Sequence, residues 1–193
     1  KARILIDRNL ATHTYFSHVL KPNLFAWTEP FRTPEYFDPS WMSSTYAIRG
    51  IDRFFDSLNH TGYYIKDAAV DARSPENEAD DYERAFLDRM RKDGSLEALS
   101  EIRILGGKPY LAVLKRGESM EASCLRCHST PDNAPKDLVK QFGAERSFNR
   151  QAGDLVSTIS LRIPLSAAYE GMRQTFIRLS VVLVVLLALL FAV

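Results

Sequence analysis

The chain has 193 residues, 25 basic and 24 acidic, for a formal net charge of +1. That length supports one domain with a real core plus appendages, and charge so evenly balanced and interspersed gives no footprint for nucleic acid. Both of its cysteines fall in one five-residue stretch, Cys124-Leu125-Arg126-Cys127-His128, so no other thiol competes for the chemistry of that stretch.

In chain order, residues 1–27 read as a long helix, with Ile4, Ile6, Leu10, Phe16, Leu20 and Leu24 as a rough apolar stripe. His13 and His18 fall on it, and single histidines in such a setting are more often solvated surface groups than ligands. Pro30, Pro34 and Pro39 make the next stretch a loop. Its aromatics, Phe31, Tyr36, Phe37 and Trp41, are expected to form a lid over an apolar pocket. A helix follows from Pro39 to Asn59, with Asp38 or Ser40 as cap and Ile48, Ile51, Phe54, Phe55 and Leu58 on one face.

Gly62 ends that helix, and Tyr63–Lys66 reads as a strand. Pro75 and its acidic neighbours open a further helix to Lys92, closed by Asp93-Gly94. Ala98–Leu105 and Pro109–Leu114 form a hairpin about Gly106-Gly107. Asp137–Phe142 is a short helix, and Asp154–Leu165 a strand with Val156, Ile159, Leu161 and Ile163 apolar. Ala167–Arg178 returns to helix. The run Leu179–Val193, without a charge, reads as a truncated transmembrane helix, since its fifteen residues cover roughly 22 Å of a ~30 Å hydrocarbon core. The chain starts at Lys1 without Met, which fits a piece of a longer protein.

The fold class is therefore α+β: a PAS-like antiparallel sheet flanked by helices gathered to one side, with a long N-terminal helix and a C-terminal transmembrane helix. The divisions are a membrane-proximal helix over 1–27, a sensor-type domain over 28–166, and a juxtamembrane and membrane helix over 167–193.

Cys-x-x-Cys-His is the attachment sequence for a c-type haem. Two thiols at that spacing reach the two vinyl groups on one porphyrin edge, and the histidine after them serves as proximal iron ligand. A zinc site would need two more paired ligands, which the sequence lacks. A thioredoxin-like dithiol usually opens a helix after a buried strand, whereas Gly117–Glu121 before the motif and Ser129–Asp132 after it read as loop. The sequence thus predicts one covalent haem c on Cys124 and Cys127, with His128 on the iron. Attachment of this kind resembles what bacteria perform outside the cytoplasmic membrane, so the domain is placed in the periplasm, anchored to the inner membrane. Arg173 and Arg178, just before the span, argue weakly for the opposite orientation.

The other axial position needs a thioether or imidazole. Met172 leads into the membrane run, Met90 lies on an acidic helix read as outward-facing, and Met120 is too near Cys124 to wrap to the other face. Met42, in the first turn of a helix behind the aromatic loop, is the expected distal ligand. His60, beside Gly62, is the alternative, an open or water-filled position is the third case, and plain core packing is the ordinary role of such a methionine.

Gly62-Tyr63-Tyr64-Ile65-Lys66, Arg73-Ser74-Pro75-Glu76-Asn77-Glu78-Ala79 with Glu83, the haem motif with Pro131, Ala134 and Pro135, Phe142-Gly143 and Gly153-Asp154 occur in an order that resembles the Tll0287-like family of haem-binding sensor domains. The resemblance spans roughly residues 10–170. Ser74 stands where the family usually has Asn, and Ser129 where it often has Gly. The resemblance implies a periplasmic module carrying one haem c, followed beyond a membrane helix by an output such as a histidine kinase, a cyclic-dinucleotide enzyme or a chemoreceptor region. No catalytic role is expected of these residues themselves. The expected function is sensing of redox state or of NO, CO or O₂, passed on through the C-terminal helix. A membrane-anchored electron-transfer cytochrome is the alternative. A homodimer with a seam through Leu10, Leu20 and Leu24 is expected, because membrane sensors usually work as symmetric pairs.

Overall fold

The computed structural model describes residues 2–59 and 62–191. The N-terminal helix is α1 (Ala2–Tyr15), a π turn (Phe16–Leu20) and α2 (Lys21–Thr28) in unbroken succession. Pro22 explains the π turn. It has no N–H for the carbonyl four residues back, and its ring would strike that carbonyl. One extra residue widens the turn, with the Lys21 N–H reaching Phe16 O.

The helix expected over 39–59 is two: α3 (Pro39–Met42) and α4 (Ser44–Asn59), separated by Ser43 in extended conformation. Asp38 caps α3 by accepting from the Ser40 N–H. Of the expected apolar face of α4, Ile48 is buried while Ile51, Phe54 and Leu58 are exposed, so that face is only partly used. Strand β1 (Tyr64–Ala69) follows. Pro75 opens a 3₁₀ turn (Pro75–Asn77), and the helix expected from there, α5 (Asp81–Lys92), begins later, where Asp80 and Glu83 make a capping box.

Strands β2 (Ala98–Leu105) and β3 (Lys108–Arg116) form the predicted hairpin. Gly106 and Gly107 hold φ of +55° and +75°, as a two-residue turn with both central residues left-handed requires. Helices α6 (Leu125–His128) and α7 (Lys136–Phe142) precede β4 (Ser157–Pro164), and α8 (Ser166–Phe191) ends the fold.

The sheet is antiparallel throughout, in the order β1-β4-β3-β2. The last strand thus lies between the first strand and the hairpin, and alternation sends its residues to two different cores. Ile159 and Leu161 pack with Ile6, Leu10 and Val113 against α1. On the other face Ala68 and Leu114 pack with Phe86, Leu87 and Met90 of α5. The helices therefore cover both faces, not the one side the sequence suggested. Met90 is 1% exposed, a core residue and not an outward-facing one. Its charged neighbours Asp88, Arg89 and Arg91 are the exposed residues of α5 there. Leu10, expected at a dimer seam, is spent on the sheet.

Buried charge ties α5 to the same face. Glu83, fully buried, accepts from Lys66 Nζ at 2.8 Å and from Arg162 at 2.9 Å. α8 is one continuous helix, so the uncharged run from Leu179 continues directly from Ser166–Arg178, which carries Glu170, Arg173 and Arg178. Tyr169–Phe191, 23 residues whose most apolar 18-residue window has a mean hydropathy of 2.3 and no burial, is long and apolar enough to cross a membrane by length and composition.

α1 and α4 meet at Asn9, whose Nδ2 donates to Asp52 Oδ1 at 3.2 Å. Burial, then the neighbouring Asp56 charge, pushes Asp52 up to about 6. The folded state therefore holds this proton more tightly than the unfolded chain, and the stability it contributes below pH ~4 is lost as pH rises through 6. Asp52→Asn keeps an acceptor for Asn9 and removes the charge. It should stabilise the protein by on the order of 1 kcal/mol at pH 7, after discounting for partial exposure. Urea midpoints at pH 5 and 7 check this, since the variant's two values should lie closer together than the wild type's.

Candidate functional site

A cavity of about 440 Å³ opens between the N-terminal helix, α3, the sheet and the haem motif. That volume is within the range of small-molecule sites, ~300–1,000 Å³. His13, Ser17, Lys21 and Phe25 line it at intervals of four from the helix, one face of the helix carried across the π turn. Phe37 and Met42 line it from the aromatic loop and α3, and Asp67 and Ser157 from the sheet.

The motif closes the cavity. Its flanks are loop, as the sequence suggested, while the motif itself is helical: a 3₁₀ turn (Ala122–Cys124) runs directly into α6. The helical turn puts Cys124 and Cys127 on one side, three residues apart. Both thiols are unpaired and half-buried, and both line the cavity with His128. Burial raises the Cys127 pKa, although Arg73 draws it back, so the group is a thiol rather than a thiolate.

His128 has a defined tautomer. Its Nδ1 lies 2.7 Å from the Ser147 carbonyl oxygen, which only accepts, so Nδ1 carries the proton. Burial, then the Arg73 charge, pushes its pKa down to about 4. The result is a neutral imidazole, oriented by its Nδ1–H, with the lone pair on Nε2. A metal-ligating histidine is held in this way.

The segment quoted in the resemblance supports these groups. Arg73 donates to the Cys127 carbonyl at 2.8 Å and to that of Ser147 at 3.4 Å. Asn77 is buried; its Nδ2 donates to Asp67 O at 2.7 Å, and its Oδ1 accepts from Arg49 at 2.7 Å. Ala79 N–H bonds Ala69 O at 2.9 Å. The Pro-x-Asn-x-Ala segment is thus a strut bound to β1 beside the cavity. Gly117 ends β3 so close to Ser157 that a Cβ would lie 2.7 Å from that residue's carbonyl oxygen. Glycine there lets Glu118 reach the cavity.

Met42 is buried on the wall as the sequence suggested, packed in a cluster with Phe37, Leu138, Phe148 and Cys127. Its Sδ accepts from the Asp38 N–H at 3.2 Å. His60, the alternative ligand, lies outside the described residues. Of the expected aromatic lid only Phe37 lines the cavity. Trp41 packs edge-on to Phe25 at 5.0 Å, while Phe31 and Tyr36 are exposed.

His18 is exposed, as expected, but His13 is buried. Its Nδ1 is 2.6 Å from Glu118 Oε1. Burial opposes charge on the ring, but Glu118 and Asp67 outweigh it and raise the pKa. A signal for its burial was present in the sequence, because His13 continues the buried face of Ile6 and Leu10 at steps of four and three. Among the described residues, no group of three or more His, Cys, Asp or Glu could by itself hold a metal ion.

The strand order and the cavity beneath the N-terminal helix define a PAS-like α+β domain with two thiols and a neutral imidazole on one wall. The chain belongs to the Tll0287-like family, whose model matches residues 1–164. Its fold is similar to the crystal structure of the cyanobacterial heme-protein Tll0287, with a TM-score of 0.61 and 16% identity over 84% of this chain and 92% of that one. No curated protein matches.

Removing the strut should loosen the site. Asn77→Ala leaves the Asp67 carbonyl and Arg49 without their partner and should cost about 2 kcal/mol of stability. Thermal unfolding of the two proteins side by side measures it.

Proposed function

We propose that this chain is the haem c sensing module of a membrane-bound bacterial signalling protein, with the domain in the periplasm. The carrying observation is the motif wall: two unpaired thiols and an imidazole, held neutral with Nε2 as its lone-pair atom, line one cavity of cofactor size. Cys124 and Cys127 would hold the haem covalently, and His128 would bind its iron from the proximal side. Haem bound there supplies an iron that responds to electrons and to NO, CO or O₂. The haem-protein neighbour supports the same reading.

The protein's own part is to orient, exclude water and transmit. Arg73 and Ser147 fix the motif helix and the ring of His128. Phe37, Met42 and Phe148 keep the motif wall apolar. Ser157, which lines the cavity, opens β4, and β4 runs into α8 with Leu165 alone between them. A change at the cavity that shifts β4 thus has a short covalent route to the membrane stretch, which favours a sensor over an electron carrier. Two copies would be paired through the membrane, in line with the symmetry of such sensors.

Two measurements test the reading. Cys124→Ala with Cys127→Ala, in cells with the haem-attachment machinery, should lose all denaturation-resistant haem; a pyridine haemochrome surviving in the double variant would refute covalent attachment. A spin label at Met172, on the exposed face of α8, should change its spectrum or its distance to a second copy on reduction or on CO addition. An α8 that stays indifferent to both would rule out sensing and leave an electron carrier.

A further inference from the structure

The cavity holds a second imidazole that the motif does not account for. His13 is 6% exposed and lines the cavity from the N-terminal helix, between Asp67 of β1 and Glu118 after β3. Its Nε2 is buried and makes no hydrogen bond. The nearest charged group to that atom is the Asp67 carboxylate at 3.8 Å, beyond hydrogen-bond reach. Its Nδ1, by contrast, is fixed at 2.6 Å from Glu118 Oε1, with Ser17 Oγ at 3.4 Å. A buried nitrogen without a partner calls for an explanation.

The arrangement matches that of His128. In each case Nδ1 faces an acceptor from the polypeptide, the Ser147 carbonyl for one ring and the Glu118 carboxylate for the other, which leaves Nε2 as the lone-pair atom, and that of His13 is buried without a hydrogen bond. A carboxylate on the far nitrogen orients a metal-binding imidazole and makes it more basic. Met42 is the less suited donor on two counts: its sulfur already accepts from the Asp38 N–H, and it packs in the cluster that contains Cys127, on the motif's own side.

We propose that His13 is the second axial ligand of the haem iron, and that Glu118 is the positioning residue that holds its Nδ1–H. The proposal rests on the haem c reading of the motif and deepens it. Binding uses the Nε2 lone pair of the neutral ring; a proton on Nε2 leaves to solvent when the iron is bound, and no electrons are transferred. Asp67, 3.8 Å from the same nitrogen, is placed to relay that proton outward.

The test uses the full chain matured with covalent haem and purified in detergent. Wild-type ferric protein should be low-spin, with a bis-imidazole electron paramagnetic resonance signal and without the weak red charge-transfer band of an iron–thioether bond. His13→Gly should keep its covalent haem by pyridine haemochrome, turn high-spin, and return to low-spin on adding free imidazole. Glu118→Gln should stay low-spin but raise the midpoint potential, because a neutral amide leaves the ligand less electron-donating. A thioether band in the wild type that disappears in Met42→Ala would overturn the assignment in favour of Met42. A high-spin wild type, or a His13→Gly protein still low-spin without imidazole, would overturn it as well. The wild-type spectra decide even if the His13 variant does not fold. Wild-type protein without covalent haem would instead defeat the haem c reading itself, a separate failure.

Discussion

The guanidinium of Arg73 donates to the carbonyls of Cys127 and Ser147, and it lies 4.8 Å from the Phe148 ring centroid. The Ser147 carbonyl is also the acceptor that fixes the His128 tautomer. One charge, half-buried at the end of the segment after β1, therefore locates the motif helix, the loop that follows α7 and the ring between them. Burial depresses the pKa of this arginine, but a guanidinium stays protonated in proteins, so its charge is a fixed part of the cavity. Burial first, and that charge second, keep His128 neutral, and a protonated imidazole binds no metal. The orientation of the imidazole and its availability to a metal thus both draw on Arg73.

The site is built where the layers of the fold meet. The N-terminal helix covers one face of the sheet with Ile6 and Leu10, and beyond them it presents His13, Ser17 and Lys21 to the cavity. α5 covers the other face and contributes no lining residue. The α1 face thus carries both a core and the cavity while the α5 face only packs, and the ion triad of Lys66, Glu83 and Arg162 lies on the face away from the cavity.

What could be read from sequence was what local physics fixes. The hairpin followed from Gly106-Gly107, whose left-handed turn only glycine adopts without strain. The last strand followed from Ile159, Leu161 and Ile163 at a period of two. The gathering of two thiols and an imidazole on one wall followed from the spacing of the motif. Met90 was misplaced because the charged neighbours Asp88, Arg89 and Arg91 outnumber the apolar Phe86 and Leu87, and only packing reveals which face turns inward. Ser147 was missed for a different reason: the working group is a backbone carbonyl, which every residue possesses. Glu118 and Asp67 meet His13 from far along the chain, through a sheet register that no local pattern encodes.

The central position of β4 limits how it can move. Its odd residues, Ile159 and Leu161, belong to the α1 core, and its even residues, Thr158 and Ser160, to the α5 face. A slip of one residue against β1 and β3 would exchange the two sets and put hydroxyls into the first core. Sliding by a strand step, about 3.3 Å, is therefore closed to it. The motions left to β4, and to any helix rigidly continued from it, are tilt, twist and shifts smaller than that step.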